Sequence, residues 1–204
     1  MLKYIFIALL KNYTDNESLI NKLWDEIEQH YTDKKRHYHT LEHLNKLFDH
    51  LSEVKNEIQH WHILLFSLFY HDIIYNTLKS DNEEKSAALA VKRLTQLGIA
   101  DSEIRLCSHQ ILATKSHQLS DNPDTNYFTD ADLSILGQNW ETYSNYMQQV
   151  RKEYAIYPDF IYKKGRKKVV HHFLAMENIY KTTYFQVKLE QQANQNLQKE
   201  LSIL

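Results

Sequence analysis

Apolar residues recur at helical spacing through most of the chain, and clusters of capping residues separate the runs. The spacing predicts a first helix over 2–12 and a second over 17–30, opened by Thr14, Asp15 and Asn16. A third starts near Thr40 and carries Leu41, Leu44, Leu47, Phe48 and Leu51 on one face. The fourth, over 57–75, holds the densest apolar run, Ile63 to Tyr70, and reads as a buried central helix. Ser80, Asp81 and Asn82 cap a fifth, with Glu83 and Glu84 in its first turn, where carboxylates suit the helix dipole, and Gly98 as its stop. A sixth runs from Asp101 or Ser102 to about residue 114. The longest irregular stretch, 116–129, follows, and a short helix over 131–136 ends at Gly137. Three longer helices are predicted over 139–155, 159–177 and 184–203. The last carries Phe185, Leu189, Ala193, Leu197 and Leu201 four apart, a stripe that docks on the rest of the protein.

Composition supports an all-α reading. Only three Gly and two Pro punctuate 204 residues, too few turn-formers for an all-β architecture. The length suits one domain over 1–204, and no repeat, low-complexity tract or composition break marks a linker. No apolar stretch approaches the ~20 residues of a membrane span, so no membrane partner is expected. Lys plus Arg is 24 against 26 for Asp plus Glu, a net charge of −2 that disfavours nucleic acid as an obligate partner. The run Tyr4 to Leu10 after Lys3 has the outline of a secretory leader. It is short, ends in Lys11 and Asn12 and lacks a small-residue cleavage site, so it reads as a packed first helix. The lone Cys107 fits a core thiol in a reducing compartment, and a cytoplasmic location is the expectation.

Histidine changes the picture. There are 12, and HYHTLEH puts His39 and His43 four apart, on one side of a first helical turn. His71-Asp72 follows inside LLFSLFYHDIIY, where burying an ionisable pair costs several kcal/mol unless a metal or counter-charge compensates. A bond from His71 to a backbone carbonyl, with Asp72 capping a neighbouring helix, is the plainer alternative. Asp130 and Asp132, in YFTDADLSILG, precede another apolar run. Imidazoles and carboxylates from separate buried helices form a mixed nitrogen and oxygen donor set suited to one divalent ion of Mn, Fe, Ni, Co, Zn or Mg. HExxH is absent, and the three glycines stand too far apart for a phosphate-cradling loop.

With these residues in order, the chain resembles the HD-domain superfamily of metal-dependent phosphohydrolases, whose His, His-Asp, distal Asp pattern is met by His43, His71, Asp72 and Asp132. RHYHTLEHL, FYHDIIY, DNEEKSA, ILATKSH, DADLSILG and IYKT are similar, in that order, to HD phosphohydrolases of unassigned substrate, over about residues 20–200. The resemblance implies an HD-domain-like helical bundle in which those four residues hold one metal. Asp132 is preferred to Asp130 because it follows Ala131. The implied activity is hydrolysis of a small anionic phosphoester such as a nucleotide. His39 is the candidate proton donor to the leaving oxygen, although Thr40 and Leu44 depart from the related pattern around it. Glu83 is a candidate base, and Lys115 and His117 are candidate phosphate contacts, with Arg36, Arg151 and Arg166 behind them. The alternatives are a di-iron oxygenase of the same fold, which would draw on His109 and His117, and a metal- or nucleotide-binding regulator without turnover.

Overall fold

The computed structural model describes residues 1–204 and contains helices and turns but no strand. Along the chain run α1 (Leu2–Leu10), α2 (Glu17–Tyr31), α3 (Leu41–Glu53), α4 (Trp61–Tyr70), α5 (Asn82–Gln96), α6 (Asp101–Ala113) and α7 (Pro123–Asp132). They are followed by α8 (Trp140–Glu153), α9 (Asp159–Leu174), α10 (Thr183–Phe185) and α11 (Gln191–Ile203). No helix is long and apolar enough to cross a membrane. The chain forms two compact units, Met1–Thr129 and Asp130–Leu204, the division falling in the last turn of α7.

In the first unit the caps act where the polar clusters predict them. Asn16 accepts from the Leu19 amide at 3.0 Å to open α2, and Thr40 accepts from the Glu42 amide at 3.3 Å to open α3. Gly98, at φ +71°, ends the turn after α5, a left-handed position that suits a residue without Cβ. It lets α5 fold back along α6, and both pack on α4. α1 packs on α2, α3 and α4, and the Phe6 ring meets Phe69 edge-on at 4.7 Å. Cys107 is fully buried, and burial pushes its thiol up to about 12, as a core thiol requires.

Two elements of the first unit differ from the sequence expectation. The fourth helix ends at Tyr70 rather than 75, so the His71-Asp72 pair sits at and just past its C-terminus. The stretch expected to be irregular to 129 becomes helical at Pro123, because Asn122 accepts from the Thr125 amide at 2.9 Å and Pro123 occupies the first helical position. Asp124 in that first turn is buried and reaches back to the start of α4, where its carboxylate accepts the amides of Gln59 at 2.9 Å and His60 at 2.8 Å.

In the second unit, α11 packs on α9 and on the 3-10 turn Leu133–Gly137. The predicted single last helix is interrupted by a π turn over Gln186–Glu190. A Cβ at Gly137 would lie 2.5 Å from that of Leu189, so only glycine admits this close approach. Buried Glu200 of α11 binds the Arg166 guanidinium of α9 through two oxygens, at 2.7 and 3.0 Å, and also accepts from the Tyr143 hydroxyl of α8.

Candidate metal centre

The His-Asp turn is built by a long-range clamp. The His71 amide still reaches the Ser67 carbonyl at 2.9 Å, which keeps His71 helical. Beyond it, buried Arg36 intercepts the backbone. Its Nη1 donates to the Asp72 carbonyl at 2.7 Å and the His39 carbonyl at 3.2 Å, and its Nη2 donates to the Ile73 carbonyl at 2.8 Å. The guanidinium sits over the Tyr31 ring at 4.8 Å and the Tyr75 ring at 5.5 Å. The Tyr31 hydroxyl accepts from the Asp72 amide at 3.2 Å. The last residue of α2 and the loop after it thus hold the turn that carries Asp72.

Within this frame the donor atoms converge. His71 Nδ1 lies 2.9 Å from the Leu68 carbonyl, an acceptor only, so the proton belongs on Nδ1 and Nε2 presents a lone pair. This contact is the one the plainer reading of His71 anticipates, and it is also the outer bond that orients a metal-binding imidazole. His71 Nε2 is 3.2 Å from His43 Nε2 and 3.2 Å from Asp72 Oδ2. His43 Nε2 and His39 Nε2 each lie 3.9 Å from that same oxygen. A lone pair on His71 pointing at a carboxylate oxygen is repulsive unless a cation or proton lies between them. Around an ion with bonds of about 2.1 Å, neighbouring donor atoms stand roughly 3.0–3.4 Å apart, the spacing of the two shorter contacts.

Rings fix the imidazoles in place. His39 stacks on Tyr75 with centroids 4.2 Å apart, His43 lies 5.0 Å from Tyr38, and Phe128 meets His71 edge-on at 5.7 Å. His43 and His71 are buried, whereas the His39 side chain keeps 20% of its surface exposed. Phe128 lies on α7, whose last residue, one turn on, is Asp132. His43 and His71 of the first unit each present a donor atom of the kind that could hold a metal ion.

Asp130, the other sequence candidate, is committed elsewhere. It is fully buried and accepts the amides of Lys181 at 2.8 Å and Thr182 at 2.7 Å, together with the Thr182 hydroxyl at 2.7 Å. Burial raises its carboxyl above the ordinary range, and these bonds offset only part of that rise. Lys181, a residue of the IYKT segment, donates its Nζ to the Ile179 carbonyl at 2.6 Å and stands 3.7 Å from Asp130. Its ammonium is lowered by burial and partly restored by Asp130 and, more weakly, by Glu190 and Asp132.

The remaining candidates have partners of their own. Glu83, in the first turn of α5, has its carboxyl raised by burial and, in smaller part, by the charge of Asp72. Lys115 is paired with Glu84 and donates to the Ser80 carbonyl at 2.8 Å. An exposed pair of this kind contributes little stability. His117 adopts a left-handed φ of 51° as its amide closes the end of α6 on Ala113. His109 lines an open groove with Ala113, Ser116, Leu119 and Asp121. Arg151 is held by Asp159 at 2.6 Å and by the Tyr154 and Tyr157 carbonyls, and Arg166 by Glu200.

Sequence reasoning missed the clamp function of Arg36 and the supporting rings of Tyr31 and Tyr75. Their one local signal is the density of aromatic and basic residues flanking the histidines. Comparison with protein-family models, with curated proteins and with solved structures finds no match to this chain.

Proposed function

We propose that this chain is a metal-dependent phosphohydrolase of the HD type, acting on a small anionic phosphoester such as a nucleotide. One observation carries the reading. Three imidazole Nε2 atoms surround a single carboxylate oxygen at 3.2–3.9 Å, and the His71 proton is held on the outer nitrogen. His43, His71, Asp72 and Asp132 are the residues that would hold the ion, and the mixed imidazole and carboxylate set fits a divalent first-row metal or Mg. Such an ion supplies Lewis acidity toward a phosphoryl oxygen and a nucleophilic water.

The chain's own groups supply the rest. His39, part-exposed and stacked on Tyr75, holds a proton at Nε2 for the leaving oxygen. Glu83, with a raised carboxyl beside Asp72, accepts a proton from water. Lys115 exchanges Glu84 for the phosphate. A metal-binding regulator without turnover is the second reading. It is favoured by the prior engagement of Arg36, Arg151 and Arg166 with carbonyls and carboxylates.

The test is a screen of Mn-, Mg-, Co-, Ni- and Zn-loaded protein for phosphate release from nucleoside phosphates, sugar phosphates and cyclic nucleotides. At least one small ester should turn over, and His39→Ala should retain metal while losing turnover. A replete protein that binds one of these ligands tightly and releases no phosphate supports the regulator instead.

A further inference from the structure

A different part of the chain, α9, shows a surface that the metal centre does not use. Its inward stripe is Arg166, Val170 and Phe173, all buried. The opposite face carries Phe160, Lys164, Lys168 and His171 at helical spacing, flanked by Ile161, Lys163 and Lys167, and every one of these is exposed. Phe160 is 73% exposed, Ile161 45%, and Ile156, just before the helix, 64%. Three large apolar side chains therefore stand in water beside four lysines.

Charge is segregated to match. From Phe160 to Met176 there are five cations and no carboxylate; with the whole chain at −2, the remaining residues carry −7. Arg166 is neutralised by Glu200, and Asp159, at the start of the helix, by Arg151, which leaves the lysine face uniformly positive. A solvated lysine face alone needs no explanation. Exposed Ile156, Phe160 and Ile161 next to it do, because apolar side chains gain nothing from a phosphodiester backbone, whereas a bilayer boundary accepts both kinds of group.

We propose that this face docks on a membrane leaflet rich in anionic lipid. Ile156, Phe160 and Ile161 enter the boundary between headgroups and acyl chains, and Lys163, Lys164, Lys167 and Lys168 lie on the headgroup phosphates. With no helix able to span a bilayer, the association is peripheral and reversible. The inference is independent of the metal reading.

The full-length protein is sedimented with vesicles of phosphatidylcholine alone and of phosphatidylcholine containing roughly one third phosphatidylglycerol. Binding is expected to the anionic vesicles only and to weaken with added salt. Lys164→Glu with Lys168→Glu, and separately Phe160→Ser with Ile161→Ser, should each weaken it at least tenfold. Lys79→Glu with Lys92→Glu changes charge equally at exposed positions elsewhere and should leave it unchanged. These side chains point away from the buried stripe, so circular dichroism and thermal midpoints should match the parent. Absence of binding to anionic vesicles overturns the proposal, as does equal loss in the control variant. Capture by a duplex oligonucleotide without capture by vesicles also overturns it, and makes the face a nucleic-acid surface.

Discussion

Replacing Arg36 by Met tests the link between the fold and the metal centre. The guanidinium donates two short bonds, 2.7 Å to the Asp72 carbonyl and 2.8 Å to the Ile73 carbonyl, and a longer one of 3.2 Å to the His39 carbonyl. At about 1.5–3 kcal/mol for each short bond from a charged donor, less what is recovered by no longer burying the cation, we expect a loss of about 3 kcal/mol. For a chain of this size that is a fall of roughly 6–12 °C in midpoint. The Asp72 oxygen is held in register by the same bonds, so divalent-ion affinity should fall about 10–100-fold, as for other outer-shell supports. Arg36→Lys should fall between the two, because one ammonium does not span both short contacts as a fork does. Urea unfolding and metal titration of the chelator-treated proteins give both numbers. An Arg36→Met protein with parental stability and parental metal affinity would refute the clamp.

The two carboxylates on α7 should separate cleanly. Asp130→Ala removes the acceptor of two part-buried amides and should destabilise by about 3 kcal/mol while the folded fraction still takes up metal, whereas Asp132→Ala should lose metal with little change in urea midpoint. Gly137→Ala should cost about 3 kcal/mol, because the new Cβ meets Leu189 at 2.5 Å, while Gly165→Ala in α9 meets nothing and should gain roughly 0.5–1 kcal/mol by thermal melting. Burial and the Asp72 charge raise the Glu83 carboxyl, so its ionisation opposes folding above the ordinary glutamate range. Glu83→Gln should therefore stabilise metal-free protein near neutral pH, with the gain vanishing in acid, where Glu83 is protonated in both the folded and the unfolded chain. An equal gain at every pH would contradict that assignment.

The helical class and most helix starts were legible because they are local. Asn16, Thr40 and Gly98 act through atoms within a few residues, so capping chemistry finds them. The His39–His43 spacing and the His71-Asp72 dipeptide were equally visible, and their atoms do meet. What escaped is set by distant partners. The fourth helix stops short as amides that would turn back onto its own carbonyls go to distant side chains, that of Asp72 to the Tyr31 hydroxyl and that of Ile74 to the Ser86 hydroxyl, while Arg36 holds the Asp72 and Ile73 carbonyls. α7 was missed because its segment, PDTNYFTDAD, offers little apolar periodicity, leaving Asn122-Pro123 as its only start signal. Asp130 and Asp132 stand two apart in DADLSILG, where the preference for Asp132 rests on the preceding Ala131, and the return of Lys181 and Thr182 onto Asp130 is a contact the segment itself does not announce. The π turn in the last helix contains Leu189, which Gly137, 52 residues upstream, meets at close range.

The central claim is that the converging imidazoles and carboxylates are a metal site. Titration of chelator-treated protein with Mn, Co, Ni and Zn salts, followed by elemental analysis after gel filtration, tests it most directly. The account predicts close to one divalent ion retained per chain for at least one of these metals, with the ion lost in His43→Ala and in His71→Ala and kept in His39→Ala. Equal retention by the parent, His43→Ala and His71→Ala proteins, or no retention by the parent at all, would contradict it.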